Sequence, residues 1–202
     1  MAGRHALCGA LALAALGLTP LGTTGAQERA SLRPFSAEEQ RALAEQAVGS
    51  DKLRALARGQ RLRALRVFPE QVEKDGEPAV VAVAILVNYG TGEALRVRLD
   101  PGTRQVDDVV PLKGRPQSSS EEREEARDLL AKAKEAAPLM TAGARIEGGF
   151  VVDPPGGEPQ GRYLEFHVVT ADGRTFLAEA IVDLAGGRVA ALRRAERKDG
   201  GA

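Results

Sequence analysis

Two stretches of the chain carry apolar residues at helical spacing, and shorter runs with strand-like alternation follow each one. In the earlier stretch Leu43, Ala44, Ala47 and Val48 share one stripe, and Leu53, Leu56 and Ala57 extend it. Gly49 and Ser50 mark a place where that helix can kink or split. In the later stretch Ala126, Leu129, Leu130, Ala133 and Ala137 form the stripe, charged residues fill the opposite face, and Pro138 is expected to end the run. Both open on a capping box, Ser36-Ala37-Glu38-Glu39 and Ser119-Ser120-Glu121-Glu122. The Ser oxygen there accepts from an orphan backbone N–H, and the Glu three residues on accepts from the Ser N–H.

Strands follow the first helix. Residues 61–68 carry Leu62, Leu65 and Val67. Residues 80–87 are continuously apolar, which predicts a central strand. After a turn at Tyr89-Gly90-Thr91-Gly92-Glu93, Leu95, Val97 and Leu99 alternate with Arg96 and Arg98, a strand with one wet face. Asp100-Pro101-Gly102 is a turn, and residues 105–110 make a last strand. The second half repeats the series: 145–152, then a Pro-Gly loop, then 162–170 paired with 175–183 across Asp172-Gly173, and 187–192.

The two halves share a constant register. Ser36 and Ser119, Asp100 and Asp183, and Val106 and Val189 are each 83 residues apart, which points to an ancient duplication. The expected fold class is α+β: two tandem repeats, each one helix packed on a four-stranded antiparallel sheet. The repeats span 31–110 and 119–194. A Pro-, Gly- and Ser-containing linker spans 111–118, and a charged, Gly-rich tail expected to be disordered spans 195–202. A copy of this size has only a marginal core of its own, so the copies are expected to share an interface.

Composition narrows the partner. The chain has 28 basic and 28 acidic residues, so the net basic surface that nucleic-acid binding needs is missing. Aromatic residues are only 3% and Trp is absent, which leaves few stacking platforms. The first residues read as a secretory signal: Arg4, an apolar run from Ala6 to Leu18, Pro20, and small residues at Thr24-Gly25-Ala26. The run is short for a membrane span. Cleavage of residues 1–26 would remove His5 and Cys8, the only cysteine, leaving a mature chain with no membrane span and no disulfides. The expected location is exported, periplasmic or extracellular.

A duplicated helix-plus-four-strand unit with Ser-x-Glu-Glu openings at Ser36 and Ser119 resembles the paired N-terminal domains of copper amine oxidases. So do hairpins ending in Val97 to Asp100 and Ala180 to Asp183, each leading through a Gly turn to a final strand. The resemblance covers roughly residues 31–194 and implies cystatin-like repeats without the catalytic domain. The oxidase site itself departs from the family pattern. Three His ligands and a Tyr in a Thr-x-x-Asn-Tyr-acid motif are needed, whereas His167 is the only histidine left after export. Asn88-Tyr89 has Ile85 at the Thr position and Gly90 at the acid position, and reads as the end of a hairpin strand. No cofactor is expected.

The resemblance to the cystatin fold also raises peptidase inhibition, but Gln71-Val72-Glu73-Lys74-Asp75-Gly76 fails the inhibitory Gln-x-Val-x-Gly spacing and reads as a polar loop. Tyr163, Glu165 and His167 share one strand face, and nothing nearby completes a triad or ligand set, so they are expected to form a solvent-facing or interface strip. The Gly pairs at 148–149, 156–157 and 186–187 sit between strands, as turns. Arg193, Arg194, Arg197 and Lys198 are expected to form a solvated basic patch. No catalytic, cofactor-binding or metal residue is assigned. The expected function is an exported, non-catalytic binding or accessory protein with a protein partner. The alternatives are a remnant or accessory subunit of a copper amine oxidase and, more weakly, a cystatin-like peptidase inhibitor.

Overall fold

A computed structural model describes residues 32–196, so the expected signal at 1–26 and most of the tail lie outside the described residues. The first helix, α1 (Ala37–Gly49), opens on the capping box. Ser36 Oγ accepts from Glu39 N at 3.2 Å, and Glu39 Oε2 accepts from Ser36 N at 2.7 Å. The stripe then splits into two helices. Ser50 is extended, donates its N–H to Ala47 O, and caps α2 (Asp51–Ala57) by accepting from Leu53 N. The bend at Gly49-Ser50 lets Leu43 and Ala47 of α1 and Leu53 and Ala57 of α2 all be buried.

Four strands follow, β1 (Leu62–Lys74), β2 (Glu77–Asn88), β3 (Ala94–Leu99) and β4 (Val106–Leu112), in the antiparallel order β1-β2-β3-β4. Val67, Ala82, Ala84, Leu86, Val97 and Leu99 face the helices in one core. The stretch expected as a polar loop at 71–76 is instead the tip of a long hairpin. β1 and β2 stay paired to Lys74 and Glu77 across Asp75 and Gly76, both at positive φ. That tip projects past the helices and is solvated, so its strands carry no apolar alternation to betray them. The two outer strands each contain a proline, Pro69 and Pro111, which lacks the N–H an added strand would need.

The second copy repeats the plan with α3 (Ser120–Lys132), α4 (Ala137–Thr141), β5 (Arg145–Val152), β6 (Tyr163–Val169), β7 (Phe176–Asp183) and β8 (Arg188–Arg194), again in sequential antiparallel order. Ala126 and Leu130 pack on Leu164, Phe166, Val168, Ala178, Ala180 and Val182. Here too the single expected helix is two. α3 ends at Lys132, and Pro138 sits in the first turn of α4, where its missing N–H costs nothing, rather than ending a longer run. Nothing local marks the break. It turns buried Ala136, with Leu139 and Met140, onto the same core.

The fold is therefore α+β, two tandem repeats with helices packed on a four-stranded antiparallel sheet. The 83-residue register extends to individual hydrogen bonds. Asp100 Oδ1 accepts from the N–H groups of Gly102 and Thr103, both at 2.8 Å; Asp183 Oδ1 accepts from those of Ala185 and Gly186, both at 2.9 Å. Each Asp closes the last hairpin of its copy, and Leu99 faces Val106 as Val182 faces Val189.

Candidate functional site: a groove at the junction of the repeats

The two sheets are joined by backbone. Tyr89 N donates to Arg61 O at 2.9 Å, Arg162 N to Tyr89 O at 3.1 Å, and Leu184 N to Arg162 O at 3.0 Å. Of these three bonds the one from Arg162 to Tyr89 crosses between the copies, and the others continue the pairing on either side of it. Two glycines permit the approach. A Cβ on Gly92, whose φ is +73°, would lie 2.5 Å from Gly161 O, and one on Gly161 would lie 3.3 Å from Tyr89 O. Val87 and Tyr89 join the buried cluster of the second copy, so its core is completed by residues of the first.

Charge organises the same junction. Glu122, the third helical residue of α3, and Arg162 are both buried, 0% and 1% exposed at the side chain. Arg162 Nε and Nη2 donate to the two carboxylate oxygens at 3.0 and 2.9 Å, a two-pronged pair. The guanidinium also donates to Pro116 O at 2.9 Å and to Gln117 O at 3.3 Å, while Ser119 N donates to Glu122 Oε2 at 3.0 Å. Glu122 therefore caps its helix and anchors the arginine that holds the linker. Its counterpart in the first copy, Glu39, pairs with Arg33 at the surface.

Beside this pair Arg61 and Arg63 of the first copy share the Glu125 carboxylate of α3, with Arg61 at 2.7 and 2.9 Å. Hydrogen bonding from Arg61 holds the Glu125 carboxyl below its usual range, and Arg63 adds to this. The Arg61 guanidinium also lies 4.7 Å from the centre of the Tyr89 ring. The Tyr89 hydroxyl is buried and makes no hydrogen bond among the described residues, although Arg63 and Glu122 both act on it electrostatically. Burial first, then the Glu122 charge, push its phenol well above the ordinary value.

The helix-free face of the first sheet leads into this junction. Arg66, Ile85, Arg96 and Val110 align in one cross-strand row, and Phe68, Val83, Arg98 and Asp108 in the next. Arg96 and Arg98 both reach Glu70. Where the linker crosses, a groove of about 510 Å³ opens, with Leu65 and Ile85 on the sheet side, Arg66 at its rim and linker residues 115–119 as its wall. Leu65 sits at a bulge between Ala64 and Arg66, lines the groove and packs against the core of the second copy. Arg66 lies 5.4 Å from the Phe68 ring centre and forms no ion pair among the described residues. Arg115 pairs with exposed Asp153 at 2.6 Å.

Arginines of the second copy hold the wall by its carbonyls. The carbonyls of Pro116, Gln117 and Ser118 accept from Arg162 or Arg123. The N–H groups of Gln117 and Ser118 have no acceptor among the described residues. The hydroxyls of Ser118 and Ser119 are engaged with Gly149 O and Glu122 N. A groove flanked by the Arg66 and Arg115 guanidinium groups suits an anionic ligand.

The residues singled out in the sequence are distributed elsewhere, with one exception. Asn88 ends β2 and turns its Oδ1 to Gly90 N, and Tyr89 is the exception, a buried element of the junction. Glu165 and His167 lie on the helix-free face of the second sheet, 3.3 Å apart, with the exposed imidazole edge-on to Phe176. Tyr163 shares their parity but is buried, donating to Pro159 O at 3.0 Å. Arg193 faces Glu179, Arg194 reaches Glu135 O, and Arg197 and Lys198 lie outside the described residues. Of the Gly pairs, 148–149 forms a bulge within β5, whereas 156–157 and 186–187 lie in loops. Among the described residues no three His, Cys, Asp or Glu side chains gather as a metal site, and no helix is long and apolar enough to cross a membrane. Glu122 was read only as a helix cap; its pairing with Arg162, and the groove, were missed. Arg162 follows a Gly-rich loop and reads as an ordinary strand-flanking charge.

The fold and the groove place the chain among tandem-repeat α+β proteins with a concave site where the copies meet. A scan against protein-family models finds no match, and a search of curated proteins finds none either.

Proposed function

We propose that this is an exported, non-catalytic binding or accessory module whose ligand is another protein. The observation that carries the reading is the junction. The two copies are fastened by a backbone hydrogen bond from Arg162 to Tyr89 and by Arg61 and Arg63 on the Glu125 carboxylate, while the buried Glu122–Arg162 pair holds the linker that walls a groove beside the first sheet. Rigid elements supporting an open, chemically biased cleft are what a binding surface requires. The resemblance to the N-terminal domains of copper amine oxidases fits within this proposal, as a role beside such an enzyme.

The test is capture by the mature chain from the exported fraction of its own cells, followed by purification of whatever is retained. A partner that binds the purified chain with defined stoichiometry in calorimetry is the expected result. Amine-dependent peroxide production by the purified chain, or no partner reproducible with purified components, overturns the proposal.

A further inference from the structure

We infer that the groove between the first sheet and the linker binds an extended acidic peptide segment of the partner. Its carboxylates would pair with Arg66 and Arg115. The inference rests on the binding-module reading and gives its ligand a chemistry.

Three observations converge on that ligand. Arg66 is exposed, sits at the rim and has no carboxylate partner among the described residues. Arg115 is held only by Asp153, whose side chain is 87% exposed, and such a surface pair is weak enough to exchange for a ligand carboxylate. Buried Arg162 and part-buried Arg123 take the carbonyls of Pro116, Gln117 and Ser118, while the Gln117 and Ser118 N–H groups have no acceptor among the described residues. Either N–H can donate to one carbonyl of an extended chain running along the linker. Alternation in an extended peptide puts two carboxylates on one side when they are two residues apart. Pro69 makes β1 a poor template for ordinary strand addition, so the main-chain contacts fall to the linker.

The probe is a fluorescein-labelled peptide of alternating Glu and Leu, with its Gln-Leu counterpart as the neutral control, titrated by anisotropy with the full mature chain. Saturable binding of the Glu-Leu peptide is expected, weaker for the Gln-Leu peptide and falling with added salt. Arg66→Gln with Arg115→Gln should weaken it by about tenfold or more. Arg41→Gln, on the helix side of the first sheet, should leave it within about twofold. Unchanged circular dichroism and melting would show that the double variant is folded, since both side chains are at the surface. No saturable binding, equal binding of the neutral peptide, or equal loss in Arg41→Gln overturns the inference. Tighter binding of the chain to phosphatidylglycerol vesicles than to the peptide, lost in the same double variant, would also overturn it and reassign the groove to a lipid headgroup. If a partner is captured but its binding ignores Arg66 and Arg115, the groove assignment falls while the binding-module reading stands.

Discussion

Replacing Arg162 with Met tests the junction most directly. The substitution keeps most of the side-chain volume and removes the guanidinium. The Glu122 carboxylate, 0% exposed, then keeps the hydrogen bond from Ser119 N but loses its counter-charge, and Pro116 O and Gln117 O lose their donors. Removing one member of a buried ion pair costs about 3–5 kcal/mol, because the survivor is an uncompensated charge in a poor solvent. Each orphaned carbonyl adds about 1 kcal/mol where water cannot reach it. A domain of this kind has roughly 5–15 kcal/mol in total, so Arg162→Met should remove a large fraction of it. Adding Glu122→Met removes the stranded charge. The double variant should recover most of the loss, short of about 1 kcal/mol for the capping bond. Urea unfolding of the four proteins, followed by circular dichroism, gives the cycle, with an expected coupling of about 2 kcal/mol or more. A cost below about 1 kcal/mol for Arg162→Met, or coupling near zero, would refute the account. The surface counterpart Arg33→Met should barely move the urea midpoint, because Arg33 and Glu39 remain in water.

Gly92→Ala should destabilise by at least about 2 kcal/mol, combining positive-φ strain with a Cβ 2.5 Å from Gly161 O, and thermal melting reads it out. Both tyrosines are held above the ordinary phenol value of 10.0, Tyr89 and Tyr163 alike, chiefly by burial. Their raised pKa means that their contribution to stability is complete below about pH 10 and is lost as pH rises through the folded values. Tyrosinate absorbance should therefore appear together with loss of circular dichroism, and phenolate absorbance near pH 10 in a folded protein would contradict this. Glu39 is lowered from 4.5 to about 2, first by hydrogen bonding from Arg33 and then by Ser36 N. Its contribution is present above its unfolded value and lost as pH falls toward 2. In a carboxyl-resolved NMR titration, Arg33→Ala should move that midpoint upward, and an unmoved midpoint would rule out Arg33 as the main cause.

Much of the fold was legible because its signals are local. A capping Ser with Glu three residues on specifies a helix start wherever it occurs, and both starts fall where the pattern puts them. The alternation of Leu95, Val97 and Leu99 with two arginines reads as a strand because one sheet face meets the core and the other does not. The hairpin tip at 71–76 was not legible, since a ladder that projects into solvent has no buried face to impose alternation. The α3–α4 break was not legible either, because the core that rewards it is assembled from β5 to β8. The groove was invisible for a further reason. Its lining comes from β1, β2 and the linker, stretches that read separately as two strands and a spacer.

The sequence by itself determined the duplication, the two helix starts and the order of strands, because caps, turns and alternation act over a few residues. Only the tertiary structure decided what equivalent residues became. Glu39 and Glu122 occupy the same place in the same motif, and one is an exposed cap while the other is a buried anchor. What separates them is Arg162, 40 residues from Glu122 along the chain, and the packing of the second copy against Tyr89. Burial is a property of everything that surrounds a side chain, so identical local motifs diverge when the two copies fold against each other and only one of them faces the joint.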